Sequence, residues 1–198
     1  MKRLGGECVA YYWLTFISFV FWANPLLAQK QKYRADNAKV VLITQVETIA
    51  VKGLNNNSTS VLDAETGQLL FVVPVQSFRF RSAMVQKYFN YPGFTYSKKF
   101  PHIKFKGHIV NYTDLKLEGS IPQPIVIEGK LTVRGVTKPM KITGTLAKLD
   151  DQKLLGTAKL VVPDVFVFGI GRQEDTSFLR GTRLTINVEA TYHKKTQD

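Results

Sequence analysis

The chain has 198 residues, of which 44% are hydrophobic and 12% aromatic, with one cysteine and a formal net charge of +12. A single cysteine excludes a disulfide framework and a cysteine-built metal centre, so an apolar core must hold the fold, and the length suits one domain. The positive excess would attract anionic surfaces such as phospholipid headgroups, lipopolysaccharide or nucleic acid, but the lysines are spread along the chain, as on a solvated sheet face.

Lys2 and Arg3 precede an apolar run over residues 9–22, and Ala28 ends a short segment, NPLLA. This is the layout of a secretory signal peptide, residues 1–28, with cleavage expected between Ala28 and Gln29; an uncleaved anchor is the alternative. Cleavage would remove Cys8, the only thiol. No later segment is apolar for long enough to span a membrane as a helix.

Residues 30–37 read as a basic lead-in closed by the turn signal Asp36-Asn37. The β-branched stretch 40–52 predicts a first long strand, and NNNSTS at 55–60 a polar loop. A strand beginning at Val61-Leu62 turns through 63–67 and returns over 69–75, apolar on both faces and therefore expected to be covered on the outside. Ser82 can cap a short helix, AMVQKYF, with Met84, Val85, Tyr88 and Phe89 on neighbouring turns, read as packing rather than a cofactor site.

From Ile103 the period is two: Ile103, Phe105, Gly107 and Ile109 alternate with His102, Lys104, Lys106 and His108. A turn at 111–114, a strand start at 115–119 and a Pro-rich break at 121–124 follow. Residues 125–146 predict a β-hairpin, with Ile125, Ile127, Leu131, Val133, Met140, Ile142 and Leu146 on one face and the turn between Gly135 and Pro139. A turn at 150–153 leads to a strand over 154–162, interrupted at Pro163-Asp164 before Val165 to Phe168. Residues 172–181 read as a charged loop. The last strand alternates Leu184, Ile186, Val188, Ala190 and Tyr192 with polar residues, and the tail after it reads as frayed. About eight strands joined by short turns, with one helical excursion and no helix–strand alternation, predict an all-β single antiparallel barrel or sandwich.

The run Gly129, Leu131, Thr132, Val133, Arg134, Gly135, Val136, Thr137, Lys138, Pro139 resembles the signature G-x-L-T-(V/I)-R-G-V-T-K-P of the YceI-like family, and FPHIKF at 100–105 resembles that family's (Y/F)-P-x-I-x-F strand. The resemblance covers one domain over residues 33–193. It implies a secreted bacterial protein folded as a lipocalin-like β-barrel around an apolar chain such as a polyisoprenoid. Residues 163–171, PDVFVFGIG, depart from the family's pattern by lacking an arginine where a barrel end is closed.

No catalytic constellation emerges: there is no G-x-S-x-G elbow, and no base is placed beside a nucleophile. His102 and His108 lie six residues apart on one strand among lysines, too far apart to share a metal. Neither a metal nor an enzymatic cofactor is expected. Candidate inward residues are long and apolar instead: Phe71, Phe78, Phe80, Ile103 and Phe105, then Leu131, Val133, Met140 and Ile142, and finally Phe166 and Phe168. Such residues would line either a packed core or a tunnel, and the resemblance implies a tunnel holding a long-chain lipid or isoprenoid. Two other readings stay open: an inside-out outer-membrane barrel, and a basic envelope module that docks on anionic surfaces without a ligand. Contact with an anionic membrane surface fits the charge, no nucleic-acid partner is expected, and no pattern specifies an oligomeric state.

Overall fold

The computed structural model describes residues 31–46, 49–171 and 183–195. The expected signal peptide and the charged loop at 172–181 lie outside these residues. In chain order the elements are β1 (Lys32–Val46), β2 (Ile49–Asp63), β3 (Gln68–Pro74), β4 (Arg79–Phe80), α1 (Ala83–Asn90), β5 (His102–Ile109), β6 (Gln123–Val133), β7 (Val136–Asp150), β8 (Lys153–Val162) and β9 (Leu184–Lys194). Short 3-10 turns occupy Val75–Ser77, Tyr112–Asp114 and Val165–Phe168.

All pairings are antiparallel, and β1 pairs with both β2 and β9, so eight strands close in the order β1-β9-β8-β7-β6-β5-β3-β2. Closure leaves none of these strands as a full-length free edge. β4 is a ninth strand, added to β2 at Gly53 and Leu54. The alternation read from the sequence resolves as apolar-in: Phe105, Ile127, Leu131, Ile142, Leu160 and Ala190 are buried, whereas Lys104, Lys106, Lys130 and Lys159 are exposed. An inside-out barrel would need the reverse, so that reading is set aside.

Several local expectations are corrected by the register. The turn of the β6–β7 hairpin is Arg134-Gly135, with φ of 50° and 78°, and Val133 pairs with Val136 around it. Both residues are left-handed, as a two-residue hairpin turn requires. Pro139 lies inside β7 opposite Lys130. Counting back from the turn places it in a non-hydrogen-bonded pair, so its missing N–H faces away from β6, where among the described residues β7 has no partner before Thr143.

Residues 40–52 are divided between β1 and β2, and NNNSTS belongs to β2 rather than to a loop. Asp36-Asn37 is not a turn; the two residues stand opposite the single Thr59 as a bulge in β1, answered by a second irregularity between Asn55 and Ser58 in β2. Paired bulges of this kind bend both strands, which closing a barrel demands. Asn55 and Ser58 are fully buried and satisfied: Asn55 donates to the Pro74 carbonyl at 2.8 Å and accepts from Asn57 N–H and the Ser58 hydroxyl. Residues 115–119 form no strand. On β3, Leu70 is 43% exposed, so among the described residues the expected outer cover is missing at that position. The helix packs across a barrel end instead.

Candidate functional site

Two apolar cavities lie along the barrel axis. The inner one, about 120 Å³, is walled by Phe71, Phe78, Phe105, Ile127, Ile142 and Tyr192, among other apolar residues. The outer one, about 430 Å³, lies beneath α1 and the Val165–Phe168 turn, walled by Phe80, Val85, Tyr88, Phe89, Val133 and Phe168 among others. Leu42, Ile103, Leu131 and Ile186 border both, so these four aliphatic side chains form the neck that stands between the two spaces. Among the described residues, no charged side chain lines either. The outer cavity falls within the range of about 300–1,000 Å³ usual for ligand pockets. The inner one is smaller than the engineered cavity of about 150 Å³ that admits benzene. A chain entering beyond the neck must therefore displace side chains.

Glycine and aromatic residues shape the inner wall together. The Phe105 ring folds over Gly107 and Gly129, which face each other across β5 and β6; a Cβ on Gly129 would lie 2.7 Å from the ring. On the opposite wall the Tyr192 ring covers Gly156. The Tyr192 hydroxyl lies 2.8 Å from the Ser60 hydroxyl, which in turn lies 3.0 Å from the Leu70 carbonyl. Burial pushes the Tyr192 pKa up to about 12, against a smaller lowering by the Ser60 hydrogen bond.

Aromatic packing and polar contacts to the backbone build the open end. Ser82 accepts from Val85 N–H at 3.4 Å, starting α1 where the sequence places its cap. Phe89, the buried residue of that helix, sits between Phe80, Phe78 and Phe94 at ring-centre distances of 4.8, 5.3 and 5.5 Å. The segment after α1 is tied down from the hairpin turn, because Arg134 donates to the carbonyls of Gly93 and Phe94 at 3.2 and 2.5 Å. Partial burial lowers the Arg134 pKa. Gly171 N–H donates to the same Gly93 carbonyl. The segment without the family's arginine closes its side through Val165, Phe168 and Ile170, the turn being held by Phe166 N–H donating to the Asp164 carboxylate at 2.8 Å.

Nine of the eleven candidate inward residues border these cavities. Phe71, Phe78, Phe105 and Ile142 face the inner one, Phe80, Val133 and Phe168 the outer, and Ile103 and Leu131 the neck. Met140 and Phe166 border neither. Met140 pairs with Gly129, whose interior side is taken by the Phe105 ring, and it lies beside Lys106 and Lys130. Phe166 is turned aside because 165–168 is a 3-10 turn: at three residues per turn, Val165 and Phe168 share the inward side. Sequence reading assigned Met84, Val85, Tyr88 and Phe89 to packing alone, yet all four border the outer cavity. Their helical spacing was visible; the cavity they face depends on contacts with β-strands far away in sequence.

His102 and His108 sit on the exposed outer face of β5. Among the described residues no three His, Cys, Asp or Glu side chains gather as a metal site, and no helix is long and apolar enough to cross a membrane.

The fold is similar to a polyisoprenoid binding domain from Saccharophagus degradans implicated in plant cell wall breakdown, with a TM-score of 0.70 at 7% identity over 84% of this chain and 100% of that one. It is similar to Burkholderia cenocepacia BcnA, at 0.64 and 16% over 78% and 95% of the two chains. The Campylobacter jejuni YCEI protein follows at 0.56 and 14%, over 77% and 90%. At such identities the likeness is one of fold. A comparison with curated proteins returns no match. The sequence itself matches the YceI-like domain over residues 33–192. With the signature hairpin and the closed eight-stranded barrel in place, this match shows that the chain belongs to the YceI-like family.

Proposed function

We propose that the protein is a periplasmic or secreted carrier that holds one apolar long-chain lipid, of the isoprenoid or fatty-acyl class, inside its barrel for transport, storage or sequestration. The observation that carries this reading is a pair of apolar cavities stacked along the barrel and separated only by the side chains of Leu42, Ile103, Leu131 and Ile186. The described wall, which carries no charged group, offers a ligand area burial, worth about 25 cal/mol per Å² before the costs of association. A polar or ionic substrate would find nothing there to replace its water. The likeness to a polyisoprenoid binding domain supports the same ligand class. No enzymatic step is assigned to the cavity.

The test is extraction of protein purified from its own host with organic solvent, followed by mass spectrometry of the extract. One apolar long-chain molecule per chain is expected, and stripping it should lower the melting temperature, since a ligand bound only to the folded state stabilises it. A protein that carries nothing and takes up neither an isoprenoid nor a fatty-acyl probe would contradict the proposal. Intact mass gives the location: a chain beginning at or near Gln29 fits export, and retention of residues 1–28 would contradict it.

A further inference from the structure

We propose that the open end of the barrel is a docking face for an anionic phospholipid bilayer, laid down so that α1 contacts the leaflet and the outer cavity faces it. The inference rests on the carrier reading for its purpose, but on separate observations for its geometry. Met84 borders the outer cavity and is 80% exposed, so the apolar space reaches the protein surface at α1. Tyr91, at the end of the same helix, is also exposed. A thioether and a phenol beside an apolar opening suit the boundary between headgroups and acyl chains.

Charge is distributed unequally between the two ends. From Glu65 to Asp114 the sequence contains seven lysines and arginines and, between those two acids, no acidic residue. Arg79, Arg81, Lys87, Lys98 and Lys99 lie in this stretch, on and around α1, and all are exposed. Among the described residues none of the five makes an ion pair; the pairs that do form involve Arg34, Lys141, Lys148 and Lys153. The acids collect at the opposite end: Asp36 near the start of β1, Asp63 and Glu65 at the β2–β3 turn, Asp114 and Glu118 before β6, and Asp150 and Asp151 at the β7–β8 turn. Lys32, Arg34, Lys116, Lys148, Lys153, Lys194 and Lys195 offset them there. At the mouth, Asp164 is the described acid, and its carboxylate is engaged by Phe166 N–H. Among the described residues the opening through which an apolar ligand would pass is therefore ringed by unpaired positive charge, whereas acids and bases are mixed at the opposite end. A bilayer meets both features at once, whereas a soluble polyanion would leave Met84 unmatched.

The test is sedimentation with vesicles of phosphatidylcholine alone or with a quarter phosphatidylglycerol, using protein as processed by its host. Each basic residue near an anionic leaflet contributes about fivefold to partitioning. A mouth variant, Arg81→Gln with Lys87→Gln, Lys98→Gln and Lys99→Gln, should therefore lose at least about a hundredfold in binding to the anionic vesicles. A wall variant, Lys39→Gln with Lys106→Gln, Lys130→Gln and Lys159→Gln, removes the same net charge from the barrel sides and should lose far less. Equal losses in the two variants would overturn the proposal, because bulk charge alone would then explain binding. Melting of both variants checks that each is folded. Wild-type protein that carries an extractable lipid yet ignores anionic vesicles overturns the docking face alone. Protein that binds vesicles through the mouth but never carries a lipid overturns the carrier reading alone.

Discussion

Replacing Val133 by phenylalanine distinguishes a cavity that receives a ligand from a core that is merely loose. Val133 is buried and borders the outer cavity of about 430 Å³. In a close-packed interior the extra ring carbons would force neighbours apart at a cost of roughly 1–3 kcal/mol. Here the ring points into open volume, so the ligand-free variant should keep its stability to within about 0.5 kcal/mol. Val75 supplies the contrast: it is buried to 1% exposure and borders neither cavity. Val75→Phe should bear the full overpacking cost, a fall of about 2–4 °C in melting temperature for each kcal/mol in a domain of this size. The assay is thermal unfolding of stripped proteins, together with uptake of a fatty-acyl or isoprenoid probe. Val133→Phe should melt like wild type and take up less probe. A Val133→Phe protein that melts as low as Val75→Phe and still takes up the probe fully would refute the reasoning, since Val133 would then sit in a solid region away from any ligand.

Thr132→Asp should change stability by no more than about 0.5 kcal/mol, because Thr132 lies on the outer face beside Thr137, whereas Val133→Asp should cost about 3–5 kcal/mol by burying an unpaired carboxylate; urea unfolding measures both. Arg134→Ala removes the charged donor that holds the Gly93 and Phe94 carbonyls and should cost about 1.5–3 kcal/mol, with faster amide exchange over residues 91–100; unchanged exchange there would count against the clasp. Tyr192 has its pKa raised from 10.0 to about 12 by burial, so its contribution is complete below pH 10 and is lost as the pH rises towards 12. That loss amounts to roughly 3 kcal/mol, and Tyr192→Phe should be flatter over the same alkaline interval; parallel curves for the two proteins would contradict it.

Period-two alternation made the strands from Ile103 onward readable, because one wet face and one dry face impose it directly on the residues. In β9, and at Ile125, Ile127, Leu131 and Val133 of the hairpin's first half, the alternating apolar residues turn inward as expected. NNNSTS was not readable as strand, since polar residues at inward positions are tolerable only when partners are supplied, and Asn55 finds its own in the Pro74 carbonyl of another strand. The hairpin turn was displaced because Pro139 resembles a strand breaker, yet an unpartnered edge absorbs its missing N–H. The candidate site follows the same division. Residues on regular strands, such as Phe105 and Leu131, fall on the cavity wall by periodicity alone. Phe166 and Phe168 do not, because a 3-10 turn replaces the strand and separates their directions. The neck formed by Leu42, Ile103, Leu131 and Ile186 joins four strands, β1, β5, β6 and β9, and only closure of the barrel brings them together.

The central claim, that an apolar chain occupies both cavities through that neck, is tested most directly by photo-crosslinking. Stripped protein is loaded with an isoprenoid probe carrying a photoreactive group on its chain, irradiated and digested, and the labelled residues are identified by mass spectrometry. The account predicts labels on the inner wall at residues such as Phe71 and Phe105, at the neck on Leu131, and in the outer cavity on Phe168. Labels confined to the exposed outer faces of the strands, or to α1 without any on the inner wall, would contradict it.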